Sequence, residues 1–226
     1  MNSYTLHISL YDLAFLGTIF LGAGLAALLW FVKKTNRSAN RFFALALIII
    51  VLMIARRLAM DIGLATYIPH WSKVPLRFSL GIGPLIFFYV LKLTRPAHKF
   101  RIKDLRHFIP LMLELSVQVL EINESIRTGK STYDTLIFHQ LNPLLQWTVF
   151  VSVIAYLYAS HGLIESFYRS LQFNGGDRYR DEMSWLFRVL ISFDMLWMCW
   201  TLFSAADYIY YQDQLEHWLI IRFISF

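Results

Sequence analysis

The sequence predicts an all-α integral membrane protein, a seven-helix bundle with its amino terminus outside and its carboxyl end toward the cytoplasm. Three observations predict this fold class. The composition is 57% hydrophobic and only 16% charged, with a mean hydropathy of +0.49. The apolar residues gather into seven stretches, most of them near the roughly 20 residues needed to cross a hydrocarbon core. Basic residues are concentrated in alternate connecting loops.

The seven predicted helices account for most of the 226 residues and leave no room for a second soluble domain. In chain order they are assigned to residues 10–32, 42–64, 74–93, 105–122, 143–167, 185–208 and 215–226. The first helix is expected to be retained rather than cleaved as a signal peptide. No Lys or Arg precedes Leu10, and the apolar run is longer than the h-region of a signal.

Three of the later helices carry features that modify the assignment. Pro84 in helix three and Pro110 in helix four each remove a backbone hydrogen bond, so we expect them to kink their helices. Helix four is the least apolar, because Glu114 and Gln118 interrupt it. Helix seven is expected to be incomplete, since it is still apolar at Phe226 after only about 12 residues.

The distribution of basic residues predicts the orientation. The loops after helices one, three and five hold four, six and three Lys or Arg residues, whereas those after helices two, four and six hold one, two and none. Cytoplasmic loops carry the excess of basic residues, so the odd-numbered loops are predicted to lie in the cytoplasm. The same rule explains the net charge of +6 without a nucleic-acid partner.

Ionisable residues inside apolar helices are costly and therefore need a partner or a function. Most of those in this chain fall in the predicted outer half of the bundle, together with several aromatic residues. They form a pocket for a small anionic or amphipathic ligand, or they pair with one another and reach water at the helix ends; both interpretations are open. In the second, Arg56 or Arg57 pairs with Asp194 or Glu114. The candidate ligand-binding residues are Arg56, Arg57, Arg77, Tyr89, Glu114, Asp194, Trp197, Trp200 and Arg222.

Signatures of catalysis are missing from the sequence. It contains no P-loop, HExxH, GxSxG or CxxC pattern, so we expect no enzyme activity, no metal and no cofactor. His161 and Glu165 stand at positions i and i+4 and could share a metal, but without a second His-rich element a solvated helix end is favoured. Anionic lipid headgroups are the favoured partners of the loop residues Lys99, Arg101, Lys103 and Arg106.

One segment, LGIGPLIFFYVLKLTRPAHKFRIKDLRHFIP at residues 80–110, resembles a known family. It is similar to the amino-terminal membrane domain of AraC-type transcriptional regulators of Bacteroidetes-like bacteria. In these proteins a GPL-hydrophobic-Y segment leads through a short basic loop into D-L-x-H-F-I-P. The matching residues are Gly83, Pro84, Leu85 and Tyr89, followed by Asp104, Leu105, His107, Phe108, Ile109 and Pro110.

The resemblance implies a sensor and anchor domain in the bacterial inner membrane, crossing it several times. A cytoplasmic AraC-type helix-turn-helix domain would follow the seventh helix and alone would bind DNA; no such pattern occurs within the 226 residues. A homodimer is expected, because these DNA-binding domains read paired half-sites. Membrane lipids are the other expected partners.

Two other functions remain open from the sequence. One is a small transporter or channel whose path is lined by Arg56, Asp194 and Glu114. The other is a membrane-embedded enzyme acting on lipid, for which only the His161 and Glu165 pair offers a catalytic group.

Overall fold

The computed structural model describes residues 10–32, 36–63, 77–129 and 135–174, and the isolated positions 188, 191, 192, 195, 198 and 199. Every regular element in this part of the chain is a helix, which confirms the all-α prediction. The elements are α1 (Leu10–Phe31), α2 (Arg37–Asp61), α3 (Ser79–Thr94), a 3₁₀ helix (Ile102–Phe108), α4 (Ile109–Thr128) and α5 (Leu136–Asn174).

Three of these helices are long and apolar enough to cross a membrane: Asp12–Phe31 in α1, all of α2, and Leu136–Ser170 in α5. Helix α3 is also apolar but shorter, with 16 residues. The predicted helices at 185–208 and 215–226 lie outside the described residues, although the six isolated positions between 188 and 199 are helical. The count of seven helices and their orientation therefore stay predictions.

Several helices extend beyond the apolar stretches that predicted them. Helix α2 begins at Arg37 rather than Phe42, directly after Asn36, whose positive φ of 64° turns the chain into the helix. Helix α5 begins at Leu136 and contains Pro143 in its interior. Charged and polar residues at a membrane surface can continue a helix that the apolar run starts, because their side chains reach water.

The fourth predicted helix divides into two elements. Residues 102–108 form the 3₁₀ helix, and α4 starts only at Ile109 and ends before Gly129, whose φ is +68°. The expected kink at Pro110 is wrong. This proline occupies the first turn of α4. The N–H groups of a first turn have no acceptor within the helix, so a proline there breaks no hydrogen bond and starts the helix instead of bending it.

Helix α3 lies at the centre of the described bundle. It packs against α2, α4 and α5, while α1 packs against α2. Apolar residues of α3 and α5 form the main core cluster: Leu80, Ile82, Ile86, Val90, Val149, Val153, Leu157 and Ile164.

Helix α4 has the reverse of a water-soluble helix's surface. Its fully buried residues are polar and recur at i, i+4, i+7 and i+11: Glu114, Gln118, Glu121 and Ser125. Its exposed face is mostly apolar and includes Met112, Leu113, Val119, Leu120 and Ile126; the exposed polar residues are Ser116 and, near the end of the helix, Asn123, Arg127 and Thr128. A helix in water buries its apolar face, whereas a helix in lipid turns its polar groups toward the bundle. Helix α4 is not one of the three long apolar helices, because its polar face lowers its mean hydropathy. Its polar and apolar faces are nevertheless arranged as contact with lipid requires.

Candidate functional site: a buried polar junction between three helices

The buried polar row of α4 contacts the start of α3. The Glu114 side chain is 3% exposed, and one of its oxygens accepts hydrogen bonds from the Ser79 N–H at 3.2 Å and the Ser79 hydroxyl at 2.8 Å. Its other oxygen accepts the Leu80 N–H at 2.9 Å. These N–H groups belong to the first turn of α3, which has no intrahelical acceptor for them and carries a partial positive charge. Glu114 is thus the cap of a neighbouring helix.

Arg77 is the centre of the site, because it joins three parts of the chain. Its backbone N–H donates to Oε1 of Gln118 at 3.1 Å, and the Gln118 amide donates back to the Arg77 carbonyl oxygen. The guanidinium forms an ion pair with Glu121 and donates to Oδ1 of Asn142, in α5, at 3.2 Å. It also lies 5.5 Å from the centre of the Phe138 ring. We call Arg77, Gln118, Glu121 and Asn142 the Arg77 junction.

The Arg77 junction buries charge without completing its hydrogen bonds. Glu121 is 1% exposed, and within the described chain neither its Oε1 nor the Nε of Arg77 has a hydrogen-bond partner. The Arg56 guanidinium of α2 lies within electrostatic reach of the same carboxylate. A buried ion pair with incomplete hydrogen bonding contributes little net stability, but removing one partner is strongly destabilising. Such a contact specifies one arrangement of the helices.

A third acidic residue of α4 caps the next helix. Glu124 accepts the N–H groups of Leu136 at 3.3 Å and Ile137 at 3.0 Å, in the first turn of α5. Helix α4 therefore supplies carboxylates to the amino ends of both α3 and α5. A displacement of α4 would remove the caps of two neighbouring helices together, so the positions of the three helices are coupled.

Gly83 and His107, from the two halves of the segment at residues 80–110, meet at Tyr156 of α5. The Tyr156 hydroxyl lies 3.1 Å from Nδ1 of His107 and donates to the His107 carbonyl oxygen at 3.2 Å. A Cβ at Gly83 would lie 2.8 Å from Cδ2 of the same tyrosine. Around these residues pack the rings of Phe42, Phe87, Phe88, Phe100 and Phe108.

Asp104 caps the start of the 3₁₀ helix. Its carboxylate accepts the Arg101 N–H at 2.8 Å and lies 3.3 Å from Nε2 of His98. The backbone hydrogen bond from Arg101, followed by the contact with His98, lowers the pKa of Asp104 below its ordinary value. The side chain is therefore an acceptor at neutral pH, as this capping role requires.

The predicted ligand-binding residues separate into three groups. Arg77 and Glu114 lie in the buried polar row or against it, with Arg56 close by. Arg57 instead forms a partly exposed ion pair with Asp61 at 3.4 Å, and Tyr89 stacks on Phe43 with 4.9 Å between ring centres. Outside the described residues lie Asp194, Trp197, Trp200 and Arg222.

Sequence reasoning missed Glu121 and Asn142 as partners of Arg77, and Tyr156 as the partner of His107. The signal for Glu121 is its spacing: Glu114, Gln118 and Glu121 lie at i, i+4 and i+7 and therefore share one face of a helix. The possible metal pair also has another role, since Glu165 pairs with Arg169 at 2.5 Å. The described residues contain no group of three His, Cys, Asp or Glu side chains that could hold a metal.

Gly83→Ala is expected to destabilise the protein by about 1–3 kcal/mol, the usual cost of overpacking a filled core. The added methyl would collide with the Tyr156 ring, which its contacts with His107 hold in place. The matched control is Gly17→Ala, because a Cβ at Gly17 meets nothing within 4 Å and alanine favours a helix. Thermal unfolding in detergent measures both; equal melting temperatures for the two variants would contradict the close contact.

Comparison of the chain with protein-family models, curated proteins and solved structures finds no match.

Proposed function

We propose that this chain is the membrane-embedded sensor and anchor domain of a one-component transcriptional regulator. In this proposal it crosses the bacterial inner membrane several times, with its amino terminus outside. A stimulus at the outer half of the bundle, or within the bilayer, changes the activity of an AraC-type DNA-binding domain that follows in the cytoplasm. Membrane embedding is supported by three long apolar helices and by the apolar outer face of α4.

The observation that carries the sensing part of the proposal is the Arg77 junction. It connects α4 and α5 through Arg77, two residues before α3, and it holds a buried charge pair with incomplete hydrogen bonding. A ligand shifts a conformational equilibrium only when it binds the two states unequally. An anionic or amphipathic ligand that competes with Glu121 for the Arg77 guanidinium would remove the charged contact of α4 at this site, and would thereby favour a second arrangement of the helices.

The regulatory part of the proposal is supported by the resemblance of residues 80–110. In the structure these residues span α3, the 3₁₀ helix and the start of α4, and their Gly83 and His107 both contact Tyr156. The segment thus connects the Arg77 junction at one end of α3 with the predicted cytoplasmic loop at the other. This is the path that a signal from the outer half would need.

The transporter alternative receives less support from the geometry. A conducting path requires polar groups that face a continuous opening, whereas Glu114 and Gln118 hydrogen-bond to the backbone at the start of α3. Flux of a small ion into liposomes, lost on Asp194→Asn, would support a transporter over the proposed sensor.

The test is DNA occupancy by the full protein in the bacterium that encodes it. Immunoprecipitation of an epitope-tagged protein is expected to recover discrete DNA sites with paired half-sites. Glu121→Gln is expected to change their occupancy by about 5–150-fold, the range of typical coupling free energies, after occupancy is divided by the amount of each variant in the membrane. The matched control is Glu165→Gln, because Glu165 is exposed. Recovery of no specific DNA would overturn the regulator, and identical occupancy in both variants would overturn the sensing role of the junction.

A further inference from the structure

The 3₁₀ helix between α3 and α4 has three distinct faces. With three residues per turn, side chains at positions i and i+3 of such a helix lie directly above one another. One face holds Asp104 and His107, the second Ile102, Leu105 and Phe108, and the third Lys103 and Arg106. The sequence pattern of this short element therefore separates polar contacts, apolar groups and positive charges.

The first face fixes the rotation of the 3₁₀ helix. Asp104 binds the Arg101 N–H at 2.8 Å, and His107 contacts the Tyr156 hydroxyl at 3.1 Å. The His107 contact holds this face toward α5, and Phe108 at the end of the second face stacks on Phe88. The earlier residues of the second and third faces, Ile102, Lys103, Leu105 and Arg106, are exposed. Ile102 is accordingly 86% exposed and Leu105 52% exposed.

The exposed apolar face continues directly into α4. Ile109, Met112 and Leu113 follow Leu105 and are also exposed, so the apolar surface extends unbroken from the 3₁₀ helix to the apolar outer face of α4. In water, exposing the Ile102 and Leu105 side chains on a seven-residue element would be unfavourable. At a bilayer surface the same side chains lie among the acyl chains, as in interfacial helices.

The third face adds positive charge beside this apolar strip. Arg106 donates from Nε to the Lys103 carbonyl oxygen at 3.0 Å, which holds its side chain along the face. Arg95, Lys99 and Arg101 are exposed nearby in the chain, and Asp104 is the single acidic residue from 95 to 108. Lys92 is not part of this surface, since it is buried and donates to the His98 carbonyl oxygen.

We propose that the 3₁₀ helix is a binding site for anionic phospholipid, with Ile102 and Leu105 among the acyl chains and with Lys103 and Arg106 on the headgroup phosphates. The combination of an apolar and a basic face distinguishes this partner from nucleic acid, which would need the charges but not the exposed leucine and isoleucine. The loop is predicted to be cytoplasmic, and the cytoplasmic leaflet carries the negative surface potential. The site does not depend on which signal the domain transmits.

The test is native mass spectrometry of the full chain released from detergent micelles containing phosphatidylglycerol or phosphatidylcholine. The wild-type protein is expected to retain phosphatidylglycerol in preference to phosphatidylcholine. Lys103→Gln with Arg106→Gln is expected to lower that preference at least ~ten-fold, since each basic residue near an anionic surface contributes on the order of five-fold. The charge-matched control is Arg127→Gln with Lys130→Gln, in the predicted outer loop, and it should retain the preference.

A second double variant tests the apolar face separately. Ile102→Ser with Leu105→Ser keeps every charge and is expected to reduce retention of phosphatidylglycerol. Retention that is equal for the two lipids in the wild type, or unchanged in the Lys103 and Arg106 variant, would overturn the proposal. So would binding of a duplex oligonucleotide that is lost on Lys103→Gln with Arg106→Gln, in a protein that shows no lipid preference.

Discussion

Arg77→Ala is expected to lower the free energy of unfolding by about 3–5 kcal/mol, the cost of leaving one member of a buried ion pair without its partner. The Glu121 side chain is 1% exposed and that of Arg77 is 21% exposed, so the carboxylate would lose its charged partner at a site that water reaches only from the Arg77 side. The same change removes the hydrogen bond to Asn142 and the ring contact with Phe138. Equilibrium unfolding of the purified protein in detergent would measure the loss.

The ion pair between Arg57 and Asp61 in α2 provides a matched control. Arg57 and Asp61 lie one turn apart in α2 with their side chains 35% and 23% exposed, and exposed pairs of this kind contribute only about 0–1 kcal/mol. Arg57→Ala should therefore cost much less than Arg77→Ala. Similar losses in the two variants would show that the burial of Glu121 does not determine the cost.

A double variant separates the net contribution of the pair from the cost of breaking it. Arg77→Met combined with Glu121→Leu removes both charges, so no unpaired charge stays buried. Such replacements are often neutral or stabilising, by about 1–4 kcal/mol. We expect the double variant to recover most of the stability that Arg77→Ala loses. A double variant no more stable than the single one would contradict the direct pairing of the two residues.

The fold class could be predicted from the sequence because hydrophobic stretches are a property of the chain itself. The boundaries at Phe42 and Leu105 could not, because polar residues such as Arg37 continue a helix past its apolar run. Pro110 illustrates a second limit. Whether a proline bends a helix or begins one depends on its position relative to the helix start, and the sequence did not show that 102–108 would adopt a separate 3₁₀ helix.

The candidate site was predictable only in part, and the reason is the distance between its members along the chain. That Arg77 and Glu114 needed partners followed from the cost of charge in an apolar helix. The identity of those partners did not follow, since Arg77 bonds to residues 44 and 65 positions further on, Glu121 and Asn142. Such contacts depend on how α3, α4 and α5 pack, which no local pattern specifies.

Glu114→Ala is expected to have the second-largest effect, lowering the free energy of unfolding by about 2–5 kcal/mol. The substitution leaves the N–H groups of Ser79 and Leu80 without their acceptor at the first turn of α3. Leaving one buried donor unsatisfied costs about 1–3 kcal/mol; the Leu80 N–H is buried, and the N–H and hydroxyl of Ser79 are part-buried. Leu80 belongs to the main core cluster, so water cannot replace the lost acceptor of its N–H.

Two further variants locate the origin of the effect. Glu114→Gln keeps one carbonyl oxygen but turns an NH₂ group toward donors, so we expect a loss between that of alanine and zero. Glu165→Ala removes an exposed carboxylate whose partner Arg169 is also exposed, and it should cost less than about 1 kcal/mol. Hydrogen exchange gives the local readout, because Glu114→Ala should accelerate exchange at Ser79 and Leu80 more than at Leu136 and Ile137, which Glu124 caps. Uniform acceleration at both helix ends would mean that Glu114 stabilises the bundle as a whole and not the start of α3.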